Sequence, residues 1–297
     1  MKVKKFAAID IGSNAMRVLI ANVIEKGDEV LFQKNSLVRS PVRLGEDSFT
    51  LGEISSESLK RFVKTMKAFK LLMNVHDVTY YKAYATSALR EANNSTHVIK
   101  TIEKKTGIKV EIIDGSKEAE IISNTKMAEF IDMQKTFLFV DVGGGSTEFT
   151  FINEGKRVTS KSFKIGTVRL INNLVDNRVW DAIKEWIKKN SENYDKITLM
   201  GSGGNINKLF KLSNIKEGKP LSKINLGLIH KELEALTYEE RILKFELNPD
   251  RADVIVPAAR IYLMALEWSG GHKIYVPKFG LSDGMIKYMY KNLKKKV

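Results

Sequence analysis

The chain of 297 residues carries 49 Lys and Arg against 35 Asp and Glu, a formal net charge of +14, with 43% hydrophobic residues and no cysteine. The apolar content is enough for filled cores and the length suits two domains, while the lack of cysteine excludes disulfides and thiolate metal sites and fits a cytoplasmic protein. No apolar run approaches the ~20 residues of a membrane span, and the basic start Met1-Lys2-Val3-Lys4-Lys5 leads into a strand with no signal-peptide pattern, so no membrane partner is expected.

Taken in order, strands are predicted over 4–10, 16–24 and 29–38. Leu59, Phe62, Val63, Met66, Phe69 and Leu72 recur at helical period and predict a helix over 55–75, started by Ser55, Ser56 or Glu57. A strand over 77–85 runs into a short polar helix start. Helix 95–106, strand 108–113, the turn Asp114-Gly115 and helix 116–132 follow. The second half repeats this order, with strands in 137–163, helices 166–175 and 178–190, and strand 195–200. After the glycine turn Gly201-Ser202-Gly203-Gly204 come helix 205–212, helices near 226–244 and 250–268, a strand at Lys273–Val276 and a last helix over 284–294. Its Lys294-Lys295-Lys296 end suits the negative pole of a helix. No low-complexity linker appears, so halves 1–124 and 125–297 are expected to pack around a cleft, with the last helix able to pack back on the first half.

The stretch that organises the chain is Phe137-Leu138-Phe139-Val140-Asp141-Val142-Gly143-Gly144-Gly145-Ser146, followed by Thr147 and Glu148. Phe6-Ala7-Ala8-Ile9-Asp10-Ile11-Gly12-Ser13-Asn14-Ala15 aligns on it without gaps, 131 residues earlier. Each copy continues through a strand and a charged, glycine-containing turn into another strand. Two such hairpins imply a duplicated domain, and two copies are too few for a solenoid.

Glycine lets backbone N–H groups face an anion at close range, so Gly12-Ser13-Asn14 and Gly143-Gly144-Gly145-Ser146 read as phosphate cradles. Asp10 and Asp141, one from each half, supply carboxylates for phosphate-bound Mg²⁺. Either Asp alone could merely cap a turn; the repetition is what points to chemistry. Gly203 and Gly204 form a third loop, read either as tight strand–helix packing or as a phosphate or nucleoside contact. There is no Walker A or G-x-G-x-x-G sequence, and the four histidines show no ligand spacing.

The charge excess is spread through both halves, with 20 basic and 15 acidic residues in 1–124, then 29 and 20 in 125–297. Lys-rich helix faces account for most of it. The sharper use is a polyanion, guided by side chains such as Lys164, Arg169 and Lys208. No helix-turn-helix, zinc finger or aromatic RNA-binding consensus is present, so nucleic acid is not the expected partner.

The sequence resembles the exopolyphosphatase / guanosine pentaphosphate phosphohydrolase family, in its short two-domain form. The likeness rests on Ala8–Asn14, Ala85-Thr86-Ser87-Ala88-Leu89-Arg90-Glu91-Ala92-Asn93, Gly115-Ser116-Lys117-Glu118-Ala119, Asp141–Glu148 and Arg251-Ala252-Asp253-Val254-Ile255. It implies an α/β fold of two ribonuclease H-like, actin-like ATPase-type domains of the actin/Hsp70/sugar kinase superfold with a central cleft. It also implies Mg²⁺ dependence and release of orthophosphate from inorganic polyphosphate or pppGpp. Glu118 matches the general base, and Glu148 a residue at the metal or the attacking water. Arg90 matches a phosphate-binding arginine, and Asn14, Gly144, Gly145 and Ser146 the phosphate cradle. A homodimer is plausible for the family. Departures are Asn205 after Gly204, where the pattern continues in Thr, and Leu281-Ser282-Asp283-Gly284, which lacks an expected arginine. The alternatives are a phosphotransferase of the same superfold and a non-catalytic (p)ppGpp- or polyphosphate-binding protein.

Overall fold

The computed structural model describes residues 1–123 and 135–294. Contacts divide the chain into one unit of Met1–Thr125 with Gly280–Val297 and a second of Lys126–Phe279.

The first unit is built on five strands, β1 (Lys2–Ile11), β2 (Met16–Lys26), β3 (Glu29–Ser40), β4 (Tyr80–Ala85) and β5 (Val110–Ile112), in the order β3-β2-β1-β4-β5. The first three form an antiparallel meander, and β4 and β5 add in parallel after helical crossovers. Alternation along β1 sorts its side chains. Ala7, Ile9 and Ile11 enter a core with Phe62, Met66 and Phe69 of helix Ser56–Val75 and Val98 and Ile102 of helix Ser95–Thr106. Phe6, Ala8 and Asp10 alternate with these, and Phe6 meets the Tyr290 ring edge-on, 6.5 Å between centroids. Tyr290 lies on the last helix, Leu281–Lys294, and its hydroxyl donates to Glu25 Oε1 at 2.8 Å.

The second unit repeats the design with β6 (Thr136–Val142), β7 (Thr147–Asn153), β8 (Lys156–Phe163), β9 (Ile197–Ser202), β10 (Leu221–Ser222) and β11 (Lys273–Tyr275), ordered β10-β11-β9-β6-β7-β8. Leu138, Val140 and Val142 pack with Phe149 and Phe151 and with the apolar helix Ile255–Trp268, whose Tyr262 is wholly buried.

Most helices follow their expected bounds because their ends are written locally. Ser55 Oγ accepts from Ser58 N–H, and Gly107 takes the left-handed conformation at φ 71° that ends helix Ser95–Thr106. Two expectations are corrected. The helix expected over 226–244 is two helices, Lys223–Ala235 and Tyr238–Phe245, because Thr237 starts the second with a capping box to Glu240. The helix expected over 250–268 divides into Pro249–Ala252 and Ile255–Trp268. Helix 166–175 shortens to Thr167–Ile171, and the last helix starts at Leu281, three residues early. Helix Gly115–Ser123 begins as expected, and the rest of the 116–132 expectation lies outside the described residues.

Candidate active site

In the second unit, Asp141 is the cross-strand partner of Glu148 on one side and of Ser202 on the other. In-register partners share a sheet face, so two carboxylates stand side by side at the strand tips. Glu148 is buried, and its Oε1 accepts hydrogen bonds from Ser146 Oγ at 2.7 Å and Ser162 Oγ at 2.9 Å. The turn between the strands closes through Gly143 N–H to the Ser146 carbonyl at 2.9 Å. A Cβ on Gly143 would lie 2.9 Å from that carbonyl oxygen, so the turn needs glycine there.

A second segment holds this turn from behind. Thr167 N–H donates to the Gly143 carbonyl at 3.0 Å, Val168 N–H to Gly144 at 2.8 Å, and Arg169 Nε to Gly145 at 2.7 Å. Gly166 touches the turn so closely that a Cβ there would sit 2.4 Å from the Gly144 carbonyl. Arg169 is thus buried structure, which corrects its reading as a guide for polyanions. Lys208 is half-buried. Its ammonium donates to the Phe245 carbonyl at 2.9 Å, and burial pulls its pKa down.

Gly203 is the N-cap of helix Gly204–Leu212 at φ 110°, a conformation glycine alone adopts readily. A Cβ there would approach Asp141 Oδ1 and the Val142 carbonyl at 3.4 Å. The Tyr262 hydroxyl donates to the Ser202 carbonyl at 2.5 Å and so ties the core helix to the end of β9. Burial, and then the nearby Asp141 charge, hold this phenol well above its ordinary pKa.

In the first unit, the equivalent turn closes through Gly12 N–H to the Ala15 carbonyl at 3.2 Å. The cross-strand partner of Asp10 is Arg17, whose Nη1 donates to Asp10 Oδ2 at 2.9 Å. Ser13 is buried with its hydroxyl bonded to that of Ser87 at 2.8 Å, and the Asn14 carbonyl accepts from Arg43 N–H at 3.1 Å. Arg90 follows on helix Ser87–Glu91, and its Nη1 donates to the Ile113 carbonyl at 2.8 Å, which orients the guanidinium.

Glu118 stands in the first turn of helix Gly115–Ser123, which Asp114 starts by accepting from Lys117 N–H at 2.7 Å. Sequence position does not separate Glu118 from Glu120, but burial does. Glu118 is buried, whereas Glu120 pairs with Lys117 at 3.0 Å with its side chain 47% exposed. Gly284 of the last helix packs on this helix with no space for a side chain, since a Cβ would lie 2.2 Å from the Ile121 carbonyl. Lys117 Nζ also donates to the Tyr288 hydroxyl at 2.6 Å, which raises the lysine pKa and lowers that of the phenol.

The pair Asp141 and Glu148 fits a magnesium ion chemically, as hard oxygen donors with no basic side chain at the in-register position. Among the described residues no three His, Asp or Glu gather into a closed cage. That suits an ion that keeps its waters and binds one or two carboxylates plus substrate phosphate. Asp10, with Arg17 already on its Oδ2, fits less well. Arg17 was missed as a member of the constellation, although its signal was present. Carrying the gapless alignment two residues beyond Ala15 and Ser146 sets Arg17 against Glu148.

The model of the Ppx/GppA phosphatase family matches residues 23–293. A bifunctional 3-dehydroquinate synthase/phosphatase of Fusobacterium nucleatum is 31% identical over 91% of this chain and 44% of its own length. Exopolyphosphatase 1 of Mycobacterium leprae is 25% identical over 56% of this chain and 48% of its own. The chain therefore spans about half the length of these curated relatives. A putative exopolyphosphatase of Haemophilus influenzae is 23% identical over 98% and 93%. The crystal structure of an exopolyphosphatase from Cytophaga hutchinsonii is similar at a TM-score of 0.85 and 26% identity, covering 97% of this chain and 98% of that one. The two sheet-based units are the expected α/β fold.

Proposed function

Because the chain belongs to the Ppx/GppA phosphatase family, we propose that it hydrolyses a phosphoanhydride, releasing orthophosphate from the end of inorganic polyphosphate or from the 5′-γ-position of pppGpp. The observation that carries this reading is the in-register Asp141–Glu148 pair beside a glycine turn held from behind. Two adjacent carboxylates offer hard oxygen donors suited to a divalent cation, and backbone N–H groups at a glycine turn attract phosphate. Asp141 and Glu148 would hold Mg²⁺, which when bound would neutralise charge on the phosphate oxygens. Asp10 is the corresponding strand-tip carboxylate of the first unit.

In the proposed reaction, backbone N–H groups of Gly144, Gly145 and Ser146 bind the terminal phosphate, and Gly143, whose N–H closes the turn on the Ser146 carbonyl, shapes the cradle. Ser13, Asn14 and Arg90 are the proposed phosphate-binding residues of the first unit, and Gly203 and Gly204 contact the remainder of the substrate. Glu118 orients a water and takes its proton as the water oxygen attacks phosphorus. The bridging P–O bond breaks, and the electron pair leaves with the shortened phosphate chain. Such transfer depends on positioning and electrostatics, so Glu118→Gln lowers kcat by about 10²–10⁴-fold.

The test is phosphate release by the purified protein with long polyphosphate, tripolyphosphate and pppGpp side by side, with and without Mg²⁺. Release to water, dependent on Mg²⁺ and on Glu118, supports the reading. Tight binding without release would reassign the chain as a binding protein, and release only with an added acceptor as a phosphotransferase.

A further inference from the structure

Arg169 is 8% exposed, too deep to recruit a polyanion from solution. Its Nε instead donates to the carbonyl of Gly145, and its own backbone N–H to that of Gly144 at 3.3 Å. In a trans peptide the C=O and N–H point to opposite sides, and among the described residues no peptide is cis. Holding the carbonyls of Gly143, Gly144 and Gly145 from one side therefore aims the N–H groups of Gly144, Gly145 and Ser146 to the other. We propose that Arg169 is a positioning residue that sets the tilt of the last peptide in this turn, and thereby the convergence of its N–H groups on the substrate phosphate. The inference rests on the phosphatase reading above.

The two units reach this result by different means. In the first, the equivalent carbonyl, on Asn14, accepts from a backbone N–H, that of Arg43. In the second, the first two carbonyls are taken by backbone N–H groups of helix Thr167–Ile171, and a side chain takes the third. A guanidinium suits this place because its planar fork fixes the direction of Nε–H, whereas an ammonium on a flexible stem does not. A buried carbonyl that loses its donor is left unsatisfied, which favours rotation of the peptide.

The experiment compares wild type, Arg169→Lys and Arg169→Ala by kcat and KM for tripolyphosphate, and by calorimetric binding of orthophosphate. Both variants are expected to lose about 10–100-fold in kcat, the scale of a misplacement near 1 Å, and to bind orthophosphate several-fold more weakly. Guanidinium ion added at millimolar concentration restores part of the kcat of Arg169→Ala and none of that of Arg169→Lys. If Arg169→Ala does not fold by circular dichroism, Arg169→Lys, which keeps the charge and most of the volume, carries both measurements. An unchanged kcat with a raised KM that disappears at high salt would make Arg169 an electrostatic guide and overturn the inference. Wild-type protein that neither releases nor binds phosphate overturns the phosphatase reading and this inference with it. Working wild type with indifferent variants overturns this inference alone.

Discussion

Asp10 and Asp141 occupy the same position in two hairpins that match residue for residue. Each turn closes from its first glycine to the residue three further on, Gly12 to Ala15 and Gly143 to Ser146. Each second strand shifts register against the third at the same place, between Ile20 and Ala21 and between Phe151 and Ile152. The difference lies across the first strand pair. Asp10 faces Arg17 and is ion-paired at 2.9 Å, whereas Asp141 faces Glu148. Duplication thus preserved the backbone while the cross-strand partner of the strand-tip aspartate changed from a base to an acid. An aspartate opposite arginine is already neutralised, whereas an aspartate opposite glutamate gains from a divalent cation. The lesson is that equivalent strand-tip acids need not carry equivalent roles.

The sharpest way to break this comparison is to remove one acid at a time. Asp141→Asn is expected to abolish Mn²⁺ binding measured by electron paramagnetic resonance and to lower kcat by about 10²–10³-fold, as when a transition-state charge loses its partner. Next is Gly166→Ala, whose new methyl must displace the Gly144 backbone rather than a side chain. It is expected to cost about 1–3 kcal/mol in urea unfolding and to lower kcat, the overpacking penalty falling on the phosphate turn itself. Asp10→Asn should cost less than Asp141→Asn, about tenfold in kcat, the scale of one charge-assisted hydrogen bond, with Mn²⁺ affinity retained. Equal loss of Mn²⁺ binding in both Asp variants would show that the two hairpins share the metal.

Two smaller effects sharpen the first unit. Ser13→Ala removes the buried bond to Ser87 and should cost about 1 kcal/mol of stability, read as a lowered midpoint in urea. A larger change in KM than in stability would show its hydroxyl acting on the substrate. Tyr84, in register with Asp10 as Ser202 is with Asp141, has its pKa pushed up to about 12, first by burial. Its phenol stays protonated until well above the ordinary tyrosine pKa of about 10. Tyr84→Phe is therefore expected to leave the pH–rate profile unchanged up to about pH 10.

The two α/β repeats, their glycine turns and most helix limits were legible from the chain because such signals are local. Apolar alternation makes strands, a 3.6-residue period makes helices, and Ser55 or Gly107 marks an end within a few residues. The matching family sequence pointed to Glu118, Arg90 and Glu148 before any geometry did. What the chain alone left open were matters of environment. The burial that separates Glu118 from Glu120 and the interior place of Arg169 depend on residues far away in sequence. Folding brings Arg17 to Asp10 and Glu148 to Asp141, and the electrostatic character of an acid is set by what lies within a few ångströms of it, which tertiary structure decides.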